Sequence, residues 1–248
     1  MLLFIIPGSQ IEATPIFASI VGGVMEECRT QCAKESQAKA VSGFVLEGFH
    51  SYDHKSEIFW DDAEHIKLVQ NTLSCFPSEK PRYVGGSLHP LAVLSLVKAG
   101  VDLFDTSYTY QVTSRGGALS FPFKLDAVDK PQPADRMFEL NLNDEKYKEQ
   151  VDKPILSGCE CYTCKNFTRG YLNHLLNTRE LLSGVLLSIH NLHHYLRFFE
   201  HLRDNADSEY YSKLEALLKD YRGPSIDYDK EAPTREPSIT SEKELPTS

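Results

Sequence analysis

A chain of 248 residues, 41% hydrophobic and 25% charged, is long enough for one large domain, or for a domain and an appendage, and has an ordinary globular composition. Its 26 Lys and Arg against 35 Asp and Glu leave a net charge of −9, which excludes the autonomous phosphate grip of a basic nucleic-acid binder; any such contact needs a local basic patch or a partner's surface. The apolar start, Met1 to Pro7, lacks a basic flank and is too short for a signal core or a membrane span, so a soluble intracellular protein is expected.

Ile16 to Val21 (IFASIV) is an apolar, β-prone run closed by Gly22-Gly23, and Met25 to Lys39 reads as a helix. Gly43 to Gly48 is the next strand-like run. Asp61 to Leu73 has helical spacing, with Asp61 or Asp62 placed to cap it. Arg82 to Gly86 reads as a third strand. Pro90 opens a helix to Lys98 that Gly100 ends, and Val101 to Thr106 is a fourth strand. Apolar strands alternating with helices across short loops predict parallel β/α units. Such folds place ligands at the C-terminal ends of their strands. Those ends here carry Gly22, Gly23, Glu47, Gly48, Gly85, Gly86 and Asp105.

Lys124 to Leu156 changes character: DKPQPADR reads as a loop and Met137 to Leu142 as β-prone. It leads into Cys159-Glu160-Cys161-Tyr162-Thr163-Cys164. Two helices are expected next, Asn166 to Leu176 and Arg179 to Arg203. On the second, Leu181, Leu182, Val185, Leu186, Ile189, Leu192, Leu196 and Phe199 recur at three- and four-residue steps, predicting a wide apolar stripe. Ser208 to Tyr221 is the last helix, and the polar, proline-rich tail from Gly223 is expected to be disordered.

Three thiolates in C-x-C-x2-C spacing can reach one ion, and a histidine on a facing helix can complete a tetrahedron; a closed, structural Cys3His zinc site is therefore expected. Spacing alone leaves His174, His190, His193, His194 and His201 as candidates for the fourth ligand. Cys28, Cys32 and Cys75 are expected to be reduced, buried, small apolar residues.

The C-x-C-x2-C run, the histidine 26 residues beyond it and the preceding Gly100-Val101-Asp102-Leu103-Phe104-Asp105 strand resemble the tRNA-guanine transglycosylases, with similarity from about Pro15 to Tyr221. The resemblance implies a TIM barrel with a zinc module, one Zn2+ per chain, and His190 as the ligand beside Cys159, Cys161 and Cys164. Enzymes of the family exchange guanine for queuine or a precursor at the wobble position of tRNAs with GU(N) anticodons, through an aspartate that attacks the ribose. Asp105 falls at that position. A carboxylate suits an oxocarbenium-like transition state, although a strand-end aspartate also commonly caps the next turn.

The departures from the family pattern imply a non-catalytic member. Val21-Gly22 stands where catalytic members carry glutamine-glycine, and Glu47-Gly48 where they carry paired glycines. Thr106-Ser107-Tyr108-Thr109-Tyr110-Gln111 replaces a Pro-Thr-Arg run that grips the tRNA backbone, leaving Arg115 as the cation nearby. The resemblance thus implies a vestigial Asp105, a heterodimer with a catalytic queuine tRNA-ribosyltransferase subunit, and tRNA contact through that complex. It places Phe167, Tyr171, His174 and Leu186 at the interface. It also implies a cytoplasmic location and leaves open peripheral association with the mitochondrial outer membrane. The alternatives are an active transglycosylase using Asp105 and a zinc-dependent scaffold with no tRNA role.

A full barrel needs eight β/α units. Only four strands are expected before Lys124, and they resemble the family's last four. The expected organisation is a partial (β/α) barrel over 1–123, a zinc-binding helical module with its connecting loop over 124–222, and a disordered tail over 223–248. Half a barrel leaves two parallel strand edges and apolar surface unpaired, so poor solubility is expected of the chain alone.

Overall fold

Four short strands, each apolar enough to be covered by helices, pair in chain order into one parallel sheet: β1 (Phe17–Ile20), β2 (Gly43–Leu46), β3 (Arg82–Val84) and β4 (Leu103–Phe104). The computed structural model describes residues 14–49, 63–125 and 136–221. The expectations for Met1 to Pro7, the Asp61/Asp62 cap, most of DKPQPADR and the tail from Gly223 lie outside these residues.

Register runs Phe17 opposite Gly43, Phe44 opposite Arg82, and Tyr83 opposite Leu103. Helices α1 (Glu26–Gln37), α2 (Ala63–Leu73) and α3 (Pro90–Ala99) alternate with the strands as expected. The third helix starts and stops on the predicted signals. Pro90 occupies its first turn, His89 Nδ1 accepts from the Ala92 N–H at 3.3 Å, and Gly100 ends it at φ +102°, a left-handed conformation that a side chain resists. The fourth strand is shorter than the predicted Val101 to Thr106. The Asp102 N–H and carboxylate clasp the Arg82 backbone at 2.9 and 3.0 Å, and Asp105 already belongs to the next turn. Among the described residues the sheet is open, with β1 and β4 at its edges; a closed barrel is not seen.

Past β4 the structure contains elements that periodicity did not reveal. Helix α4 (Ser107–Ser114) is followed by β5 (Gly117–Leu119), which pairs antiparallel with β6 (Glu139–Asn141), the latter inside the run read as β-prone. A short helix, α5 (Tyr162–Asn166), lies within the cysteine run. Thr168 caps a separate α6 (Arg169–Asn177), its hydroxyl accepting from the Tyr171 N–H, which is why the predicted single helix from Asn166 is split. The long α7 (Leu181–Asp204) and α8 (Ser208–Lys219, capped by Asp207) close the described chain.

Two apolar cores result. One gathers Ile20, Phe44, Leu46, Val84, Leu94 and Leu96 of the sheet and its helices with Tyr195, Phe198, Leu202 and Leu214. The other holds Ala118, Leu142, Tyr147, Ile155, Leu172, Leu175, Leu186 and Leu187. Helix α7 contributes to both, and so ties the cysteine-bearing region to the sheet.

The apolar stripe predicted on α7 is real as a pattern but faces largely outward. Leu181 is 74% exposed, and Leu182, Val185, Ile189, Leu192 and Leu196 are exposed as well; of the stripe, Leu186 is buried and Phe199 half-buried. The inward face instead carries Ser183, His190, Asn191 and His194 among its apolar residues. The reason is hydrogen bonding. Asn191 accepts from the Leu119 N–H (2.8 Å) and donates to the Gly117 carbonyl (3.1 Å) and Thr113 hydroxyl (2.9 Å), supplying the edge of β5 with partners that an apolar side chain could not.

Candidate metal centre and strand-end face

The cysteine run is shaped by its own backbone. Cys161 sits at the N-cap of α5, and its Sγ accepts from the Cys164 N–H at 3.3 Å, an arrangement that favours the thiolate. Thr163 donates to the Leu186 carbonyl at 2.7 Å and so fastens α5 against α7. Opposite, α7 presents His190. Its Nδ1 lies 3.8, 3.6 and 3.4 Å from the sulfurs of Cys159, Cys161 and Cys164, and all four donor atoms fall within 4.8 Å of one another. Tetrahedral bonds of about 2.3 Å to sulfur and 2.0–2.1 Å to nitrogen would set an S–N edge of about 3.5 Å. The group therefore has the size and donor set to hold a metal ion.

The outer partner is in place too. Only the Nε2–H of His190 can donate to the Leu119 carbonyl, 2.9 Å away, which leaves Nδ1 as the ligating nitrogen and orients the ring. Hydrogen bonds from Cys159 and Cys164 hold the Cys161 thiol far below its ordinary value, while the bond with Cys159 pushes the Cys164 thiol up. Burial works against charge on His190, but its bonds to Cys159 and Cys161 outweigh burial and raise it to about 9. A bound cation would displace the protons that these four groups otherwise share.

Of the five candidate histidines, His190 alone joins the cysteines. His174 is exposed, and His193 and His201 are half-buried outside the group. His194 is buried, its Nε2 2.9 Å from the Phe121 carbonyl and its ring edge-on to Phe121 at 4.6 Å. Burial, then the nearby His190, depress it to about 3. Because this folded-state value lies below the unfolded one of about 6.5, the stability that neutral His194 contributes is complete above about pH 6.5. It is lost as pH falls from there towards 3, at about 1.4 kcal/mol per pH unit. Urea titrations at pH 7, 6 and 5 should show a shallower acid loss for His194→Asn than for the unaltered chain. Identical slopes would show that His194 is not buried in its neutral form.

Among the remaining thiols, Cys32 and Cys75 are half-buried, but Cys28 is exposed, contrary to expectation. Helix α1 buries only Arg29 and Ala33, and this turns Cys28 to solvent.

At the strand ends, the structure brings Gly22, Gly23, Glu47, Gly48, Gly85, Gly86 and Asp105 to one edge of the sheet. Asp105 is tied there by three donors: its Oδ1 accepts from the Ser107 N–H (2.9 Å), and its Oδ2 from the Gly86 N–H (3.0 Å) and the Tyr83 hydroxyl (3.2 Å). A carboxylate offers about four lone-pair sites. Three are thus occupied, and the turn-capping role weighed from the sequence is present. Val21 is exposed and Glu47 half-buried. Arg115, the cation kept in reserve for phosphate, grips Glu139 with Nε–Oε1 at 2.8 Å and Nη2–Oε2 at 2.7 Å.

The proposed contact residues divide. Phe167 is half-buried, Tyr171 and His174 are exposed, and Tyr162 joins them: its ring meets Phe167 edge-on at 5.8 Å, and Phe167 stacks on Tyr171 at 5.4 Å. Leu186 does not belong to this surface. It is 1% exposed and sits in the second core, as an apolar stripe position does, whereas the resemblance had placed it at the interface. Glu139 and Asn191 were missed because a single buried polar residue leaves no periodic signal. Among the described residues, no helix is long and apolar enough to cross a membrane.

A sequence model of the family described as Queuine tRNA-ribosyltransferase matches residues 9–221. Among curated relatives, the Queuine tRNA-ribosyltransferase accessory subunit 2 of Danio rerio is 38% identical over 226 residues, covering 81% of this chain and 53% of the relative. The proteins of the same name from Drosophila sechellia and Homo sapiens are 37% identical over 224 residues (89% and 52%) and 34% over 234 residues (84% and 55%). The chain spans about half the length of these curated relatives. With one match covering both the parallel sheet and the Cys3His group, the chain belongs to the queuine tRNA-ribosyltransferase, or tRNA-guanine transglycosylase, family.

Proposed function

We propose that this chain serves as a non-catalytic subunit of a queuine tRNA-ribosyltransferase, pairing with a catalytic subunit that exchanges guanine for queuine at the tRNA wobble position. The observation that carries the reading is the state of the strand-end face. Asp105, at the nucleophile's position, has most of its lone pairs committed to neighbouring donors, and Arg115 is committed to Glu139. The names of the relatives support it, each being an accessory subunit.

In this reading Cys159, Cys161, Cys164 and His190 hold a structural zinc ion. Four protein ligands leave no position open for water, so the ion orders the fold and supplies no chemistry. The part of the chain over 124–222 is the docking module, attached to a partial (β/α) barrel over 1–123. The aromatic ladder of exposed Tyr162, half-buried Phe167 and exposed Tyr171, beside His174, supplies the anchors for the catalytic subunit. Large exposed apolar patches such as the outer face of α7 also call for a covering protein surface.

Co-expression with a catalytic subunit should yield a one-to-one complex that exchanges guanine in tRNA. Phe167→Ala with Tyr171→Ala should weaken pairing at least tenfold, as truncated anchors typically cost 2 kcal/mol or more, with circular dichroism unchanged. Exchange by this chain alone, or full pairing by the double variant, would overturn the proposal.

A further inference from the structure

We propose that the open face and edges of the parallel sheet form an interface between two copies of this chain, which close one eight-stranded (β/α) barrel from two four-stranded halves. Ala18, Ile20, Phe44, Leu46 and Val84 alternate onto the side of the sheet that the helices cover, and all are buried. The row between them runs Ser19, Val45, Tyr83 and Leu103, each opposite the next across the four strands. On this row Ser19 is exposed, Val45 and Tyr83 are half-buried, and Leu103 is 43% exposed. Parallel sheets ordinarily have both faces covered. Here one face is finished and the other is not.

The edges are unfinished at the same residues. Among the described residues β1 pairs with β2 alone, and β4 with β3 alone. The Ile16 and Ile20 carbonyls accept from Ser42 and Glu47, so by alternation the Ser19 N–H points away from β2. The Asp102 N–H donates to the Arg82 carbonyl, so the Leu103 N–H points away from β3. An added peptide strand or helix would finish one edge and leave the other. A second copy, turned about a two-fold axis along the strands, finishes both: β4 of each copy lies beside β1 of the other, and all eight strands run the same way. Four β/α units are half of the eight that closure requires, so two equal halves meet it with no further segment. The outer side of β4 is already dressed for that closure. Phe199 of α7 meets Phe104 at 5.4 Å, and α8 is tied to α3 through Glu215 and Lys98. Val45, Tyr83 and Leu103 of both copies then share one closed interior, filled by side chains as barrels of this size are.

The inference goes beyond the subunit role proposed above and is compatible with it. The aromatic ladder belongs to α5, α6 and the residues between them, which take no part in either edge, so each copy keeps its ladder for a catalytic subunit. The test is the oligomeric state of the full chain by light scattering, with hydrogen exchange read at the two edge amides. The parent should be a dimer whose Ser19 and Leu103 amides exchange about 100-fold more slowly than after dissociation by dilution. Leu103→Lys places a charge in the closed interior, and Ser19→Pro removes the outward N–H, a change that a free edge strand tolerates. Each should weaken dimerisation about tenfold or more, with circular dichroism unchanged. Phe167→Ala with Tyr171→Ala should leave this dimer intact, which separates its fate from that of the subunit role. A monomer, an open-ended aggregate, or a dimer that the ladder variant abolishes overturns the proposal. So does protection of both edges only after a catalytic subunit is added, which would give the face to that partner. If neither edge variant folds, the parent decides: freely exchanging Ser19 and Leu103 amides in a dimer overturn it.

Discussion

Removing the zinc ion proposed for the Cys3His group is expected to unfold the region around the cysteines while much of the parallel sheet survives. Structural zinc contributes about 10–16 kcal/mol of coupled binding and folding in small modules, against about 5–15 kcal/mol for the stability of a whole domain. Here the ion would bond the cysteine run directly to α7, beside the Thr163–Leu186 hydrogen bond. Hydrogen exchange before and after chelation should show protection lost from α5, α6, β5 and β6, and retained in β1 to β3. Cys161→Ser should behave like the chelated chain. Elemental analysis should find one zinc per chain. Copurification without metal, or a chelated chain with unchanged protection, would remove the zinc site from the proposal.

The second large effect is expected at a pair that no motif announced. Glu139 is buried, and its carboxylate meets the Arg115 guanidinium in a two-pronged contact that joins the end of α4 to β6. Truncating one partner of such a pair leaves a buried charge uncompensated, which costs about 3–5 kcal/mol. Glu139→Ala should therefore lower stability by that amount in urea titration. Replacing both residues with methionine should recover most of the loss, because apolar isosteres remove the stranded charge along with its partner. A loss below about 1 kcal/mol for Glu139→Ala would mean that water screens the pair as at a surface.

Both effects arise where the chain's local pattern and its folded environment differ in what they reveal. Strand and helix positions through Gly100 were legible because period and punctuation are local: Pro90 and Gly100 bracket α3 whatever packs on it. The metal-binding group was legible because its ligands must be particular atoms, and three of them lie within six residues. The choice of His190 came from resemblance, and the geometry around Nδ1 agrees with it. The hairpin of β5 and β6 was less legible. Its first strand is three residues long, and its hydrogen bonds are completed by Asn191, 72 positions from Leu119.

The amino-acid sequence by itself determined the order of the β/α units, the bounds of α3 and the three thiols of the metal centre, because each depends on residues near one another in the chain. Tertiary structure decided the rest. It turned the apolar stripe of α7 outward, since only His190, Asn191 and His194 could satisfy the Leu119, Gly117 and Phe121 backbone while closing the metal group. It buried Arg29 at a position that helix periodicity would have assigned to an apolar side chain. Burial of a polar group costs too much unless donors and acceptors meet, and that meeting is a property of the packed chain, written in no local pattern.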